Sequence, residues 1–138
     1  MEINLIAVLV ATVAQFVVGA IWYMPVFGKL WGQMHGFDKL SKAEQKEAQS
    51  KMAPLMITQF LFTILTTYVL AHFIVKNPDY SPYELVMWIW LGFFVPTQVS
   101  AVLFGGTDPK WVMKKTLVMA FGSLVVLLAG AFVLDKML

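Results

Sequence analysis

Four stretches of the chain are long, apolar and free of charge through their interiors. They run from about Ile3 to Met24, Leu55 to Val75, Tyr83 to Phe104 and Trp111 to Leu134, and are 22, 21, 22 and 24 residues long. A helix rises about 1.5 Å per residue, so about 20 residues cross a hydrocarbon core roughly 30 Å thick. Each stretch is therefore long enough to span a bilayer. The sequence predicts an all-α protein, a four-helix transmembrane bundle forming a single integral membrane domain over residues 1–138.

Composition agrees with that solvent. Hydrophobic residues make up 59% of the chain. A soluble helix keeps a polar outer face, and these segments have none. With no Cys, disulfides and thiol chemistry are excluded. All ten basic residues are Lys and the net charge is only +2. Without Arg the bidentate grip on phosphate or carboxylate is missing, and no nucleic-acid partner is expected. The first stretch follows Glu2 rather than a basic segment and exceeds a signal peptide's apolar run, so a retained first span is expected.

The connections are well punctuated. Ser81-Pro82-Tyr83-Glu84 reads as an N-cap, a proline at the first helical position and a capping-box Glu. Asp108-Pro109 opens the fourth helix in the same way, and Gly105-Gly106 closes the third. The tight second and third loops predict antiparallel packing of helix two on three and of three on four. The first connection is longer. Val26, Phe27, Leu30, Trp31 and Met34 share one helical face, which predicts a short interfacial helix within the 26–53 loop. Gly36 ends it, and Ser41-x-x-Glu44 opens a polar helix from Lys42 to Met52 that leads into the second span, with a kink or restart at Pro54.

Lysine placement predicts orientation. Loops one and three hold Lys29, Lys39, Lys42, Lys46, Lys51, Lys110, Lys114 and Lys115, whereas loop two and the termini hold only Lys76 and Lys136. Loops one and three are expected in the cytoplasm, with both termini outside a cytoplasmic (inner) membrane. Trp22, Tyr23, Trp31 and Trp111 then lie near the inner face, and Tyr80, Tyr83 and Trp88 near the outer.

The segment Gly19-Ala20-Ile21-Trp22-Tyr23-Met24-Pro25-Val26-Phe27-Gly28-Lys29-Leu30-Trp31 carries the pattern G-x-x-W-Y-x-P followed by F-G-K and a Trp. It resembles a family of small four-span integral membrane proteins known only as domain of unknown function 1761. Trp90-Leu91-Gly92-Phe93, Pro96-Thr97 and Leu103-Phe104 are similar to that family's third span. The resemblance covers nearly the whole chain and implies a four-helix membrane protein with no established reaction. Read physically, Gly19 allows close helix approach and Trp22 and Tyr23 anchor the helix at the interface. Pro25 ends it, and Phe27, Gly28 and Trp31 set the following segment against the membrane.

Sites for chemistry are few. Glu84 lies at the edge of its span, and no carboxylate or lysine lies deep in any of the four. Proton relays and ion-coupled carriers usually need such a group, as small multidrug exporters do. His72 sits near one end of span two, and His35 lies in loop one on the predicted opposite side. A copper site from Met24, Met34 and His35 is chemically conceivable, but methionines in such a chain are ordinarily packing residues. No enzyme, cofactor or metal is expected. Uncharged polarity remains: Gln15, Gln59, Thr63, Thr66, Gln98 and Ser100, with Thr67, Thr97 and Ser123 nearby in sequence. These groups predict either interhelical hydrogen bonds or a polar path for a small solute. Ala7 and Ala11 continue the row of Gln15 and Gly19, and Gly122 and Gly130 lie two turns apart; both are close-packing faces, one to close the bundle and another to join subunits. Pro96 is expected to bend span three and free a carbonyl for Thr97, Ser100 or a neighbour.

The leading expectation is a non-catalytic structural or assembly component in contact with the lipid bilayer, either a homo-oligomer or an accessory subunit of a membrane complex. A small-solute channel or carrier, and a binder of lipid or quinone between Trp22, Trp31 and the third span, remain open.

Overall fold

The computed structural model describes residues 2–138. It is 86% helical and holds no strand among the described residues. Its helices are α1 Leu5–Val26, α2 Gly28–Met34, α3 Lys42–Lys76, α4 Pro82–Phe104 and α5 Pro109–Met137. All but α2 are long and apolar enough to cross a membrane, and each of those four contains the better part of one apolar stretch.

The helix starts follow local chemistry. Asn4 accepts from the Ile6 and Ala7 amides at the head of α1. Ser41 and Glu44 complete a reciprocal capping box, and Ser81 accepts from the Glu84 amide. Asp108 accepts from the Lys110 amide before a short 3-10 turn leads into α5. Gly106, with φ +73°, takes the left-handed conformation that ends α4. The polar lead-in and the second span form one helix, interrupted only at Lys51. That break fits Pro54, whose ring crowds the carbonyl four residues back, at Ser50.

The four long helices stand in the order α3, α1, α5, α4, with α1 and α5 at the centre. The central pair is antiparallel: Asn4 reaches the Met137 carbonyl at one end and Trp22 the Val118 carbonyl at the other. Gln15, Gly19 and Trp22 of α1 meet Gly130, Val126 and Gly122 of α5, so the two small-residue faces close on each other, and Ala7 and Ala11 are fully buried. A Cβ at Gly130 would lie 2.6 Å from Gln15 Cδ, and one at Gly122 would lie 2.7 Å from Trp22 Nε1. Gly130 is a recess that seats Gln15, and Gly122 one that seats the Trp22 indole beside the Tyr23 hydroxyl. Gly19 is less constrained, with Val126 at an ordinary 3.6 Å.

The core cluster includes Ala7, Val8, Ala11, Leu70, Ala71, Val86, Leu127, Ala131 and Leu134. Tyr83 of α4 donates to Asp135 of α5 at 3.3 Å. The expected packing of helices two and three is corrected here: α3 and α4 share only sparse contact. An open groove of about 260 Å³ separates them, lined by Leu65, Thr66, Leu70 and Phe73 of α3, Ile89 and Phe94 of α4 and Leu127 of α5. A short loop fixes direction, but α1 and α5 take the facing surfaces first because their glycines and alanines permit the closest approach.

Candidate functional site

Two widened turns shape the lysine-rich half of the molecule. At Trp22–Val26 the helix relaxes to a π-helical turn, and the Phe27 amide bonds back to the Trp22 carbonyl at 2.9 Å. Pro25 explains it: proline lacks an N–H and its ring pushes away the carbonyl four residues earlier. Trp90–Phe94 forms a second π turn just ahead of Pro96. The Thr97 hydroxyl donates to the Phe93 carbonyl at 2.6 Å, an ordinary bond to the residue four back, whereas the carbonyl that Pro96 leaves without its amide is that of Gly92.

Each wide turn begins with a tryptophan aimed at α5. Trp22 donates its indole N–H to the Val118 carbonyl at 3.0 Å, and Trp90 donates to the Ala120 carbonyl at 2.7 Å. Two helices are thus pinned from opposite sides to carbonyls two residues apart. Ser123 adds to this point, its hydroxyl 2.8 Å from the Ala120 carbonyl and 3.1 Å from Gln98 Oε1, with one proton to share.

The candidate interface motif is drawn into the protein. The Trp22 ring packs on Phe27 at 4.7 Å between centroids, Tyr23 meets Trp31 edge-on at 4.9 Å, and Trp31 lies 4.6 Å from His35. His35 Nδ1 is 2.8 Å from the Trp31 carbonyl. Gly28 lets the chain fold back under the wide turn, since a Cβ there would sit 3.1 Å from the Tyr23 carbonyl oxygen. Trp22, Tyr23, Phe27 and Trp31 therefore join α1 to α2 and α5 rather than only marking depth. Trp88, 65% exposed, is left as a plain outward-facing aromatic.

The polar candidates separate into groups. Gln15 is buried and donates to Thr67 Oγ1 at 2.5 Å and to the Ala11 carbonyl at 3.1 Å. Thr67 donates to the Thr63 carbonyl at 2.6 Å, and Thr63 to the Gln59 carbonyl at 2.8 Å. The Gln59 amide reaches Thr63 Oγ1 at 3.5 Å, the outer limit of a hydrogen bond, and the residue is exposed. These four form a ladder along α1 and α3. Gln98 lies instead beside Ser123 on α5, Thr66 lines the groove between α3 and α4, and Ser100 is exposed. Gln59 and Gln98, equal in expected depth, are on opposite flanks. Thr12, fully buried and donating to the Val8 carbonyl at 2.7 Å, belongs to the core although its polarity had not singled it out.

An open cleft of about 400 Å³ lies against α5 at this end, lined by Trp22, Phe27, Leu30, Lys114, Leu117, Val118 and Phe121. Lys110 and Lys114 stand over the Trp111 ring at 5.7 and 5.5 Å, and Lys115 over Trp31 at 5.7 Å. The sequence offered a partial signal for this cleft: Lys114, Leu117, Val118 and Phe121 recur at i, i+3, i+4 and i+7. His72 meets Tyr68 edge-on at 4.8 Å, far along α3 from the loop that holds His35. Among the described residues no three His, Asp or Glu side chains converge to hold a metal ion.

No curated protein and no solved structure matches the chain. A family model described as protein of unknown function (DUF1761) matches residues 6–135, nearly the full length. The chain belongs to this family of unknown function, and its four long apolar helices are those of a multi-pass membrane protein.

Proposed function

We propose that the protein is a non-catalytic membrane component that works by pairing with a second copy of itself through α3. The observation that carries this reading is Gln59. It lies four residues inside Leu55, about 6 Å into the apolar span at 1.5 Å per residue. It is exposed there, between the outward-facing Leu55 and Phe62. An amide facing hydrocarbon is costly, and a protein surface relieves it. A primary amide both donates and accepts, so two copies related by an axis along the membrane normal would place two Gln59 side chains at the same depth in self-complementary contact.

Further support comes from the ladder it terminates. Beyond Gln15 and Thr67, toward the termini, the space between α1 and α3 is filled by Val8, Ala11, Leu70 and Ala71. That filling favours a dry network over a solute path through one chain. With the lysine-rich loops in the cytoplasm, as the positive-inside rule has it, the exposed amide belongs to the inner leaflet.

The test is the mass of the intact particle in mild detergent, together with cross-linking at position 59. The chain has no Cys, so Gln59→Cys introduces a unique thiol. The expected particle holds two 15.5 kDa chains, and the Cys variant is joined into a dimer by a short bis-maleimide. Gln59→Leu should weaken pairing by roughly 3- to 20-fold, matching about 0.6–1.7 kcal/mol for an intramembrane polar contact. A monomeric wild type, or a complex built around a different protein, would refute self-pairing.

A further inference from the structure

We infer that the cleft against α5 is a binding site for one anionic phospholipid, taken from the leaflet at the lysine-rich end. Its wall is apolar: the Trp22 face, Phe27 and Leu30 on one side, Leu117 and Phe121 on the other. Trp22 has already given its indole N–H to Val118, so it presents only ring to the cleft. From Lys114 to Phe121 the cleft follows α5 for about 10 Å at 1.5 Å per residue, which suits the upper part of an acyl chain.

Its mouth is cationic. Lys114 is the one charged residue of the lining. Lys110 and Lys115 lie within a turn of it in sequence, and Asp108, the nearest acid along this segment, is occupied with the Lys110 amide. The Lys110 and Lys114 ammonium groups stand over the Trp111 ring and that of Lys115 over Trp31, an attraction that gathers positive charge at this end of the cleft. Apolar walls leading to a lysine cluster at one membrane face match an acyl chain ending in an anionic headgroup. A quinone or a neutral lipid would use the walls and leave the lysines without a counter-charge. The site is built within one chain and is independent of any pairing through α3.

The experiment is lipid retention by the detergent-solubilised full chain, read by intact-particle mass spectrometry after incubation with equal amounts of phosphatidylglycerol and phosphatidylcholine. The wild type should retain phosphatidylglycerol over phosphatidylcholine by about fivefold for each lysine that reaches the headgroup, and so by at least that factor. Lys114→Gln, an exposed position, should lower that ratio about fivefold while the melting temperature stays unchanged. Leu117→Trp, which fills the cleft, should lower retention of both lipids. Millimolar inorganic phosphate should displace neither. Equal retention by the wild type, an unchanged ratio in Lys114→Gln, or displacement by inorganic phosphate would each overturn the assignment, the last by reassigning the lysines to a free anion.

Discussion

The centre and the flanks of this molecule follow different rules. In the most apolar window of α5, 39% of residues are buried inside the protein; in that of α3 the share is 11%. Both helices are apolar, α5 the more so, with a mean hydropathy of 2.6 in that window against 1.6 in α3, but in lipid apolarity alone draws no helix inward. What lets α5 pack from both sides is its small residues. Gly122 and Gly130 let α5 receive Trp22 and Gln15, whereas α3 buries only Thr63, Thr67, Leu70 and Ala71. In lipid, where apolar burial brings little, helices sort by how closely they can approach and which hydrogen bonds they can make. A helix with recesses becomes the axis, and one with bulky sides all round becomes a flank.

That contrast can be broken most severely at Gly122. Gly122→Val should destabilise the protein by about 3 kcal/mol or leave it unfolded, because the indole it meets is rigid and already hydrogen-bonded. Leu61→Val on α3, at a 59% exposed position, should shift unfolding in detergent by less than about 0.5 kcal/mol. Equal effects at the two sites would erase the distinction between axis and flank. The next largest effect is expected at the indoles. Trp90→Phe keeps an aromatic ring but removes the donor to Ala120 and part of the indole's volume, costing about 1–2 kcal/mol. Trp88→Phe, with its ring outward, should cost close to nothing in the same assay. Smaller still is the coupling across the α1–α3 seam. A double-mutant cycle of Gln15→Leu and Thr67→Val should return about 0.6–1.7 kcal/mol of interaction. The same cycle on Gln59 and Gln98, which stand on opposite flanks, should return none.

Much of this fold was legible. Span number and approximate ends followed from length and hydropathy, and the caps at Ser41, Ser81 and Asp108 from their residue types. The small faces on α1 and α5 were visible as fourfold spacing, though not that each would find the other. The polar set was read by depth, and depth is a single coordinate. Gln59 and Gln98 agree in it and differ in azimuth around the bundle, which periodicity within one helix cannot relate to another helix. Likewise the acceptors for Trp22 and Trp90 are backbone carbonyls, and every residue type carries the same carbonyl. Val118 and Ala120 have nothing in their side chains to announce the role. The tight loop before α4 told direction correctly and partnership wrongly, because a turn constrains two ends and the rest of each helix goes where packing is best.

Trp22 and Val118 are 96 positions apart, and that separation sets a timetable for biogenesis. The seat for α1 is made last of the four spans. Until α5 has left the ribosome and entered the bilayer, Gln15 has no glycine to nest against and Trp22 no carbonyl to hold. Until then α1 can lean only on α3, where Gln15 already meets Thr67, and the bundle closes when α5 arrives.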